Sequence, residues 1–219
     1  MGFYVGVDLG QSADYTAVAV VEEANATNQA GRVEAKPALH LRHLERYPLR
    51  TPYPEQADFI ARLMRREELI SVATLPWEPT VYRRGPELVV DATGVGRAVT
   101  DLLKERKLQF KAVTITGGDA AKYSGRGASV PKRDLVAALE VPFHSGTLKV
   151  AEGLTLWPSL KTELLNFRRK INLKTAHDSY EHWRDSAHDD LVLAVALACW
   201  WIRRRQSRMV RVMRKPPGF

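Results

Sequence analysis

The sequence predicts one α/β domain built on a mixed sheet. Three observations carry this. β-branched and apolar runs dominate the first 47 residues, strands then alternate with segments of helical period, and no linker or internal repeat divides the 219 residues. A hydrophobic fraction of 45% is enough to bury a full core, which excludes a disordered chain.

The elements follow in order. FYVGVDLG (3–10) reads as a strand that ends at Asp8 and a glycine. TAVAVVE (16–22) is a second strand, and QSADY between them makes the pair a hairpin. Residues 24–36 are polar and read as a loop, and ALHLRHLERY (38–47) is a third strand with Leu39 and Leu41 on one face. From Pro54 the period changes: Ala57, Ile60, Ala61 and Met64 mark an amphipathic helix, with the proline in its first turn.

ELVVDATG (87–94) is a buried strand that again ends in an acid and a glycine. A helix with Val95, Val99, Leu102, Leu103 and Arg106 on one side follows, then the strand KAVTIT (111–116). Residues 117–133 are Gly-rich and basic and are expected to form a mobile loop. Pro131 opens a helix through Glu140, TLKVA is a short strand, and Leu160, Leu164, Leu165 and Ile171 line a further helix. The last helix is expected over about 188–204.

Cys199, the single cysteine, has no intramolecular partner and reads as packing in a reducing compartment. No secretory signal is visible, and the apolar run 191–202 is too short to span a bilayer, so no membrane role is expected. The formal charge is +8, and seven of the 33 Lys/Arg lie within 203–215, a stretch without acids. The body of the chain is thus nearly neutral while its end is basic, which points to a polyanion such as nucleic acid.

Two strands share one ending: apolar run, Asp, small residue, Gly. Ligands of open α/β sheets bind beyond the carboxyl ends of strands. Asp8 and Asp91 come together if their strands are neighbours, and Asp189 or Asp190 at the head of the last helix adds a third carboxylate. Singly, each has an ordinary reading as a turn former or helix start; the joint pattern is far more specific. Clustered carboxylates repel and raise one another's pKa, and hard cations relieve this. All-oxygen ligands suit Mg²⁺ or Mn²⁺ rather than zinc. Two such ions about 4 Å apart can activate water and stabilise the leaving oxygen of a phosphodiester. Asp189, nearer the helix mouth, is the favoured ligand of the pair and Asp190 the second candidate.

GVDLGQSADYTAVAVVE, VVDATGVGRAVTDLL, SVPKRDLV and AHDDLVLAVALA, in this order, resemble the nuclease domain of the large terminase of tailed bacteriophages and other viruses. The resemblance spans Phe3 to about Trp201. It implies an RNase H-like mixed central sheet flanked by helices, over 1–204, followed by a basic tail over 205–219. It also implies a two-metal endonuclease that cuts concatemeric double-stranded DNA during genome packaging, in the cytoplasm of the infected host cell. Asp8, Asp91 and Asp189 match the family's acidic triad, Asp190 its second HDD carboxylate, and Lys132 its basic position. The implied partners are a packaging ATPase domain or subunit, a small terminase and a portal. No GxxxxGK[ST] stretch occurs, so the ATPase motor is expected to be absent and the chain to be an excised domain or a separate nuclease.

Lys122, Arg126, Lys132 and Arg133 flank a stretch without acids and are expected, with Arg203, Arg204 and Arg205, to contact DNA phosphates. A solvated loop is the plainer reading of that stretch. His188 either orients an acid or only starts the helix, Asp14 reads as a turn former, and Trp157, Trp183, Trp200 and Trp201 read as core or partner surface. Three other functions share parts of the pattern. A Holliday-junction resolvase or other RNase H-like nuclease would keep the acids but prefer branched DNA or hybrids. VGVDLGQS also resembles the first phosphate loop of actin and Hsp70-like sugar kinases and ATPases, but those need two lobes and have no role for the HDD helix. A DNA-binding module without catalysis would be hindered by four carboxylates facing DNA.

Overall fold

The structure, a computed structural model, describes residues 2–10, 14–25, 37–75, 78–94, 96–125, 127–173 and 189–213, leaving out the side chains of 73–75, 78–79, 96–97, 167–173 and 208–213. Strands β1 (Gly2–Asp8), β2 (Thr16–Ala24) and β3 (Ala38–Tyr47) form an antiparallel meander. Helix α1 (Tyr53–Met64) and a 3-10 turn (Glu67–Leu69) lead into β4 (Ser71–Leu75) and β5 (Glu78–Arg84), a separate two-stranded sheet that the sequence reading did not assign. Then come β6 (Glu87–Asp91), α2 (Gly96–Glu105), β7 (Phe110–Thr116), β8 (Lys122–Ser124), β9 (Gly127–Pro131) and α3 (Lys132–His144). The chain continues through β10 (Leu148–Val150), α4 (Trp157–Leu173) and α5 (Asp190–Met213).

The main sheet has eight strands in the order β10-β3-β2-β1-β6-β7-β9-β8. β1, β6, β7 and β9 run parallel, so their carboxyl ends share one edge of the sheet. Side chains alternate across each strand. Val5, Val7, Val18, Val20, Leu88 and Val90 pack against Ala57 and Ile60 of α1 and Val99 and Leu103 of α2. Tyr4, Ala17, Ala19, Val89 and Val113 face α3, α4 and α5. Burying both faces explains why the central strands read as continuous apolar runs.

Helix α5 lies against β1 and β2, its residues Leu191–Ile202 all buried. A Cβ at Gly6 would stand 2.0 Å from the Ala194 carbonyl oxygen. Only glycine allows this approach, and Ala194 and Ala198 keep the facing helix surface low. Cys199 is buried among these residues, and burial pushes its thiol up to about 12, as expected of packing. Trp200 and Trp201 are buried and Trp157 partly so, whereas Trp183 lies outside the described residues.

The structure corrects several expectations. Residues 117–133 are not one loop: β9 pairs with β7 from Ala112–Gly127 to Thr116–Pro131, and β8 pairs back on β9. Ladder hydrogen bonds to β7 override a glycine-rich composition. Pro131 ends β9 and is the N-cap residue, and α3 runs past Glu140 to His144 with Pro142 in its last turns. In α1, Leu63 is buried as well, and Met64 is partly buried against the core. In α4 the face toward α5 holds Leu160, Glu163 and Leu164, while Leu165 is exposed. Helix α5 runs on past residue 204, where the last helix was expected to end, to Met213. No described helix is long and apolar enough to cross a membrane.

Candidate active site

The hairpin and the parallel β1–β6 pair set the site. Tyr4 lies opposite Glu87 and Val7 opposite Val90, so the register continues to Asp8 opposite Asp91. Both acids fall on the strand phase of Tyr4 and Val89, which is the α5 face. Helix α5 begins over the same edge and brings Asp189 and Asp190 to them. Asp91, Asp189 and Asp190 all lie near enough to Asp8 to act on its charge.

The turn after Asp8 is held by a polar chain. The Gly10 N–H donates to Thr16 Oγ1 at 3.0 Å, Thr16 donates to Gln56 Oε1 at 2.8 Å, and Gln56 Nε2 donates to the Thr51 carbonyl at 2.8 Å. Asp91 is buried, and its Oδ1 accepts the Thr93 N–H at 2.7 Å. Thr93 Oγ1 in turn accepts the Ile115 N–H at 2.7 Å, tying the turn to β7. Asp189 contributes the carbonyl that accepts the first bond of α5, from Leu193 at 2.9 Å, and its carboxylate meets Lys132 Nζ at 3.2 Å. Lys132 reaches it because α3 starts directly after β9 at the same sheet edge.

The electrostatics are those of crowded carboxylates. Burial, then the charges of Asp91, Asp189 and Asp190, push the Asp8 carboxyl well above its usual range, with Lys132 opposing. Burial also raises Asp91, against hydrogen bonds from Thr93 and Asp8 and the charge of Lys132. Asp190 is buried and its Oδ2 accepts Arg46 Nε at 2.7 Å. The sequence reading missed Arg46 and Glu163. Arg46 also binds Glu163 Oε1, and Glu163 Oε2 accepts the Leu191 and Val192 N–H groups at 3.1 and 3.2 Å. Burial and the charge of Asp190 push Glu163 up to about 7. The one signal in the sequence was a glutamate at i, i+3 from Leu160 on an otherwise apolar helix face.

The residues expected to touch DNA scatter. Lys132 points into the acid cluster rather than outward. Lys122 is exposed on β8, and Arg133 pairs with Asp119 at 2.9 Å. Arg203 is exposed, Arg204 lies 3.3 Å from the centre of the Tyr123 ring, and Arg205 pairs with Glu87. Arg126 and His188 lie outside the described residues, and Asp14 sits exposed in the turn before β2. Among the described residues no three acidic, histidine or cysteine side chains converge closely enough to make a ready-formed cation cage. The donor set is nevertheless all oxygen, with raised carboxyls that only added positive charge would relieve, and this fits a hard divalent cation.

No protein-family model matches the chain, and no curated protein does. Solved structures match it. The large terminase nuclease from thermophilic phage G20c with bound magnesium is 18% identical, with a TM-score of 0.56 over 90% of this chain and 80% of that one. A further structure of that nuclease is 16% identical, with a TM-score of 0.51 over the same shares of 90% and 80%. The human cytomegalovirus terminase nuclease domain, Mn soaked and inhibitor bound, is 16% identical, with a TM-score of 0.49 over 92% and 83%. The chain thus shares the fold of the G20c nuclease, with a mixed central sheet flanked by helices.

Proposed function

We propose that the chain is a divalent-metal-dependent endonuclease that cuts concatemeric double-stranded DNA during viral genome packaging. The observation that carries this reading is the placement of Asp8 and Asp91 at the ends of adjacent parallel strands, within electrostatic reach of Asp189 at the head of α5. The likeness of the fold to a terminase nuclease supports it.

Asp8, Asp91 and Asp189 would hold Mg²⁺ or Mn²⁺, two ions in the full reading, with Asp190 behind them. Bound there, the cations would supply Lewis-acid activation of water and neutralise the charge gathering on the phosphate. The chain's own residues prepare the place. Thr93 and the Thr16–Gln56 chain fix the two strand-end turns, which orients the carboxylates before substrate arrives. Lys132 balances the cluster and stands where it can pair with a phosphate oxygen. Lys122, Arg126, Arg133 and Arg203, Arg204 and Arg205 would track the DNA backbone without reading sequence. A packaging ATPase, small terminase and portal are the partners this role requires, in the infected host cell.

Cleavage of linear duplex DNA, a four-way junction and an RNA–DNA hybrid, each with Mg²⁺, Mn²⁺ or excess chelator, tests the reading. Metal-dependent cutting of linear duplex is expected. Preference for the junction or hybrid would make the chain a resolvase or ribonuclease, and full activity in chelator would remove the metal from the mechanism.

A further inference from the structure

Two consecutive aspartates enter the acid cluster, and each meets a different cation. Asp189 faces Lys132, whereas Asp190 is bound by Arg46. Arg46 comes from β3, opposite Ala17, which is itself opposite Asp8. It therefore lies in the same cross-strand row as Asp8, two strands away on the same face. Its guanidinium reaches Asp190 with Nε and Glu163 with a terminal nitrogen, and its Cζ lies 4.8 Å from the centre of the Tyr15 ring. The side chains are enclosed, at 18% exposure for Arg46 and 8% for both acids.

Glu163 links this ion pair to the helix. One of its oxygens holds Arg46, and the other accepts the first N–H groups of α5, which have no partner within the helix. A single carboxylate from α4 thereby fixes both the guanidinium and the height and rotation of the α5 start. Resting on the function proposed above, we propose that Arg46 and Glu163 are positioning residues that assign the two aspartates different roles. Arg46, held by Glu163, binds Asp190 as a structural anion and so turns Asp189 toward Asp8 and Asp91 as the metal-holding carboxylate. Arginine is required because its planar fork serves two acids at once, which a lysine ammonium on the same stem does not reproduce.

The sign of the effect separates positioning from mere charge. Removing a positive charge near a carboxylate cluster should tighten cation binding by Coulomb attraction alone. Loss of positioning should weaken it. Mn²⁺ titration of the full chain by calorimetry, beside thermal melting of each metal-free protein, reads this directly. For Arg46→Gln, Mn²⁺ affinity should fall about tenfold or more, as for other residues that orient metal ligands. Glu163→Gln keeps an oxygen for the Leu191 and Val192 N–H groups but loses the anion that holds Arg46; it should also bind Mn²⁺ more weakly, but because it removes a negative charge its fall agrees with positioning without separating it from charge. Arg46→Lys restores charge without the fork and should bind Mn²⁺ nearer to Arg46→Gln than to wild type. Unchanged or tighter Mn²⁺ binding in folded Arg46→Gln would overturn the inference, and if Arg46→Gln does not fold, Arg46→Lys, which keeps every charge, decides it: wild-type affinity there would overturn the inference. Wild-type protein that binds no Mn²⁺ would instead overturn the metal reading itself, and the inference with it.

Discussion

Asp8 and Asp91 are held in a place that opposes their own ionisation. Burial raises both, and the neighbouring carboxylates raise Asp8 further, so each ionised acid costs the folded chain free energy until a cation arrives. Asp8→Asn, Asp91→Asn and Asp189→Asn should each lower duplex cleavage on the order of a hundredfold or more, because a ligand that orients the cations is lost. Asp8→Asn should also melt higher than wild type in chelator, since it removes like charge from the cluster. A lower melting temperature with cleavage intact would show that Asp8 is a structural turn residue only. Asp190→Asn should behave differently, because it leaves Arg46 buried with one acid instead of two. A stability loss of about 1–3 kcal/mol is expected, by chemical denaturation, with cleavage reduced less than in Asp189→Asn. The reverse ranking of the two activities would exchange their roles.

At the level of elements, the site depends on how closely α5 sits on β1. Backbone atoms, not side-chain ends, surround the missing Cβ of Gly6, with the Ala198 nitrogen at 3.0 Å beside the Ala194 oxygen. Gly6→Ala should therefore push the helix away and cost on the order of 3 kcal/mol. Because Asp8 is on β1 and Asp189 heads α5, Mn²⁺ affinity should fall with it. Urea denaturation and Mn²⁺ titration check the pair of effects, and a stable variant with normal affinity would mean that the helix–strand spacing does not set the site. The β8–β9 hairpin docks on the same helix, with Tyr123 stacked on Trp200 and Arg204 over Tyr123. Lys122 on that hairpin is exposed and is the residue proposed above for a phosphate contact that a substitution tests most cleanly. Lys122→Ala should reduce the slope of log K against log salt for duplex DNA by about 0.9, and an unchanged slope would take the hairpin off the DNA path.

For the whole molecule, proton linkage has a definite sign. Asp8, Asp91 and Glu163 all hold protons in the folded chain at pH values where the unfolded chain has lost them. Metal-free stability should then fall as pH rises from the usual carboxyl range toward about 7, the value to which Glu163 is pushed. His40, held below its usual value by burial and Arg42, opposes this. Calorimetry should show a lower Tm at pH 7.5 than at 5.5 in chelator and a smaller difference with Mn²⁺. A metal-free Tm that climbs across that range would contradict the crowded-carboxylate account. The basic end belongs partly to the body, because Arg204 and Arg205 are engaged by Tyr123 and Glu87. Truncation after Ser207 removes Arg208, Arg211, Arg214 and Lys215 and spares those contacts. DNA affinity should fall with a flatter salt slope while cleavage at saturating DNA persists; lost cleavage in a folded truncation would place part of the site beyond Ser207.

Local pattern was sufficient for the meander, the helices, the two strand-end aspartates and the acids before the buried helix. Alternation with period 2, helical period and apolar runs are properties of neighbouring residues, and they survive whatever the rest of the chain does. Even the meeting of Asp8 and Asp91 was legible once their strands were taken as neighbours. Residues 122–131 were not, because Gly, Ser and Lys become strand only when β7 offers its hydrogen-bonding edge. Arg46 and Glu163 were not legible either. Arg46 is 144 residues from Asp190, and Glu163 is 28 from the N–H of Leu191, so no spacing along the chain reports their contact. Which carboxylates the protein carries, and on which kinds of element, follows from the order of residues along the chain. Only the tertiary structure decided which cation each one meets, because charge pairing depends on distance through space across packed elements, and that distance exists only once the sheet and α5 are assembled.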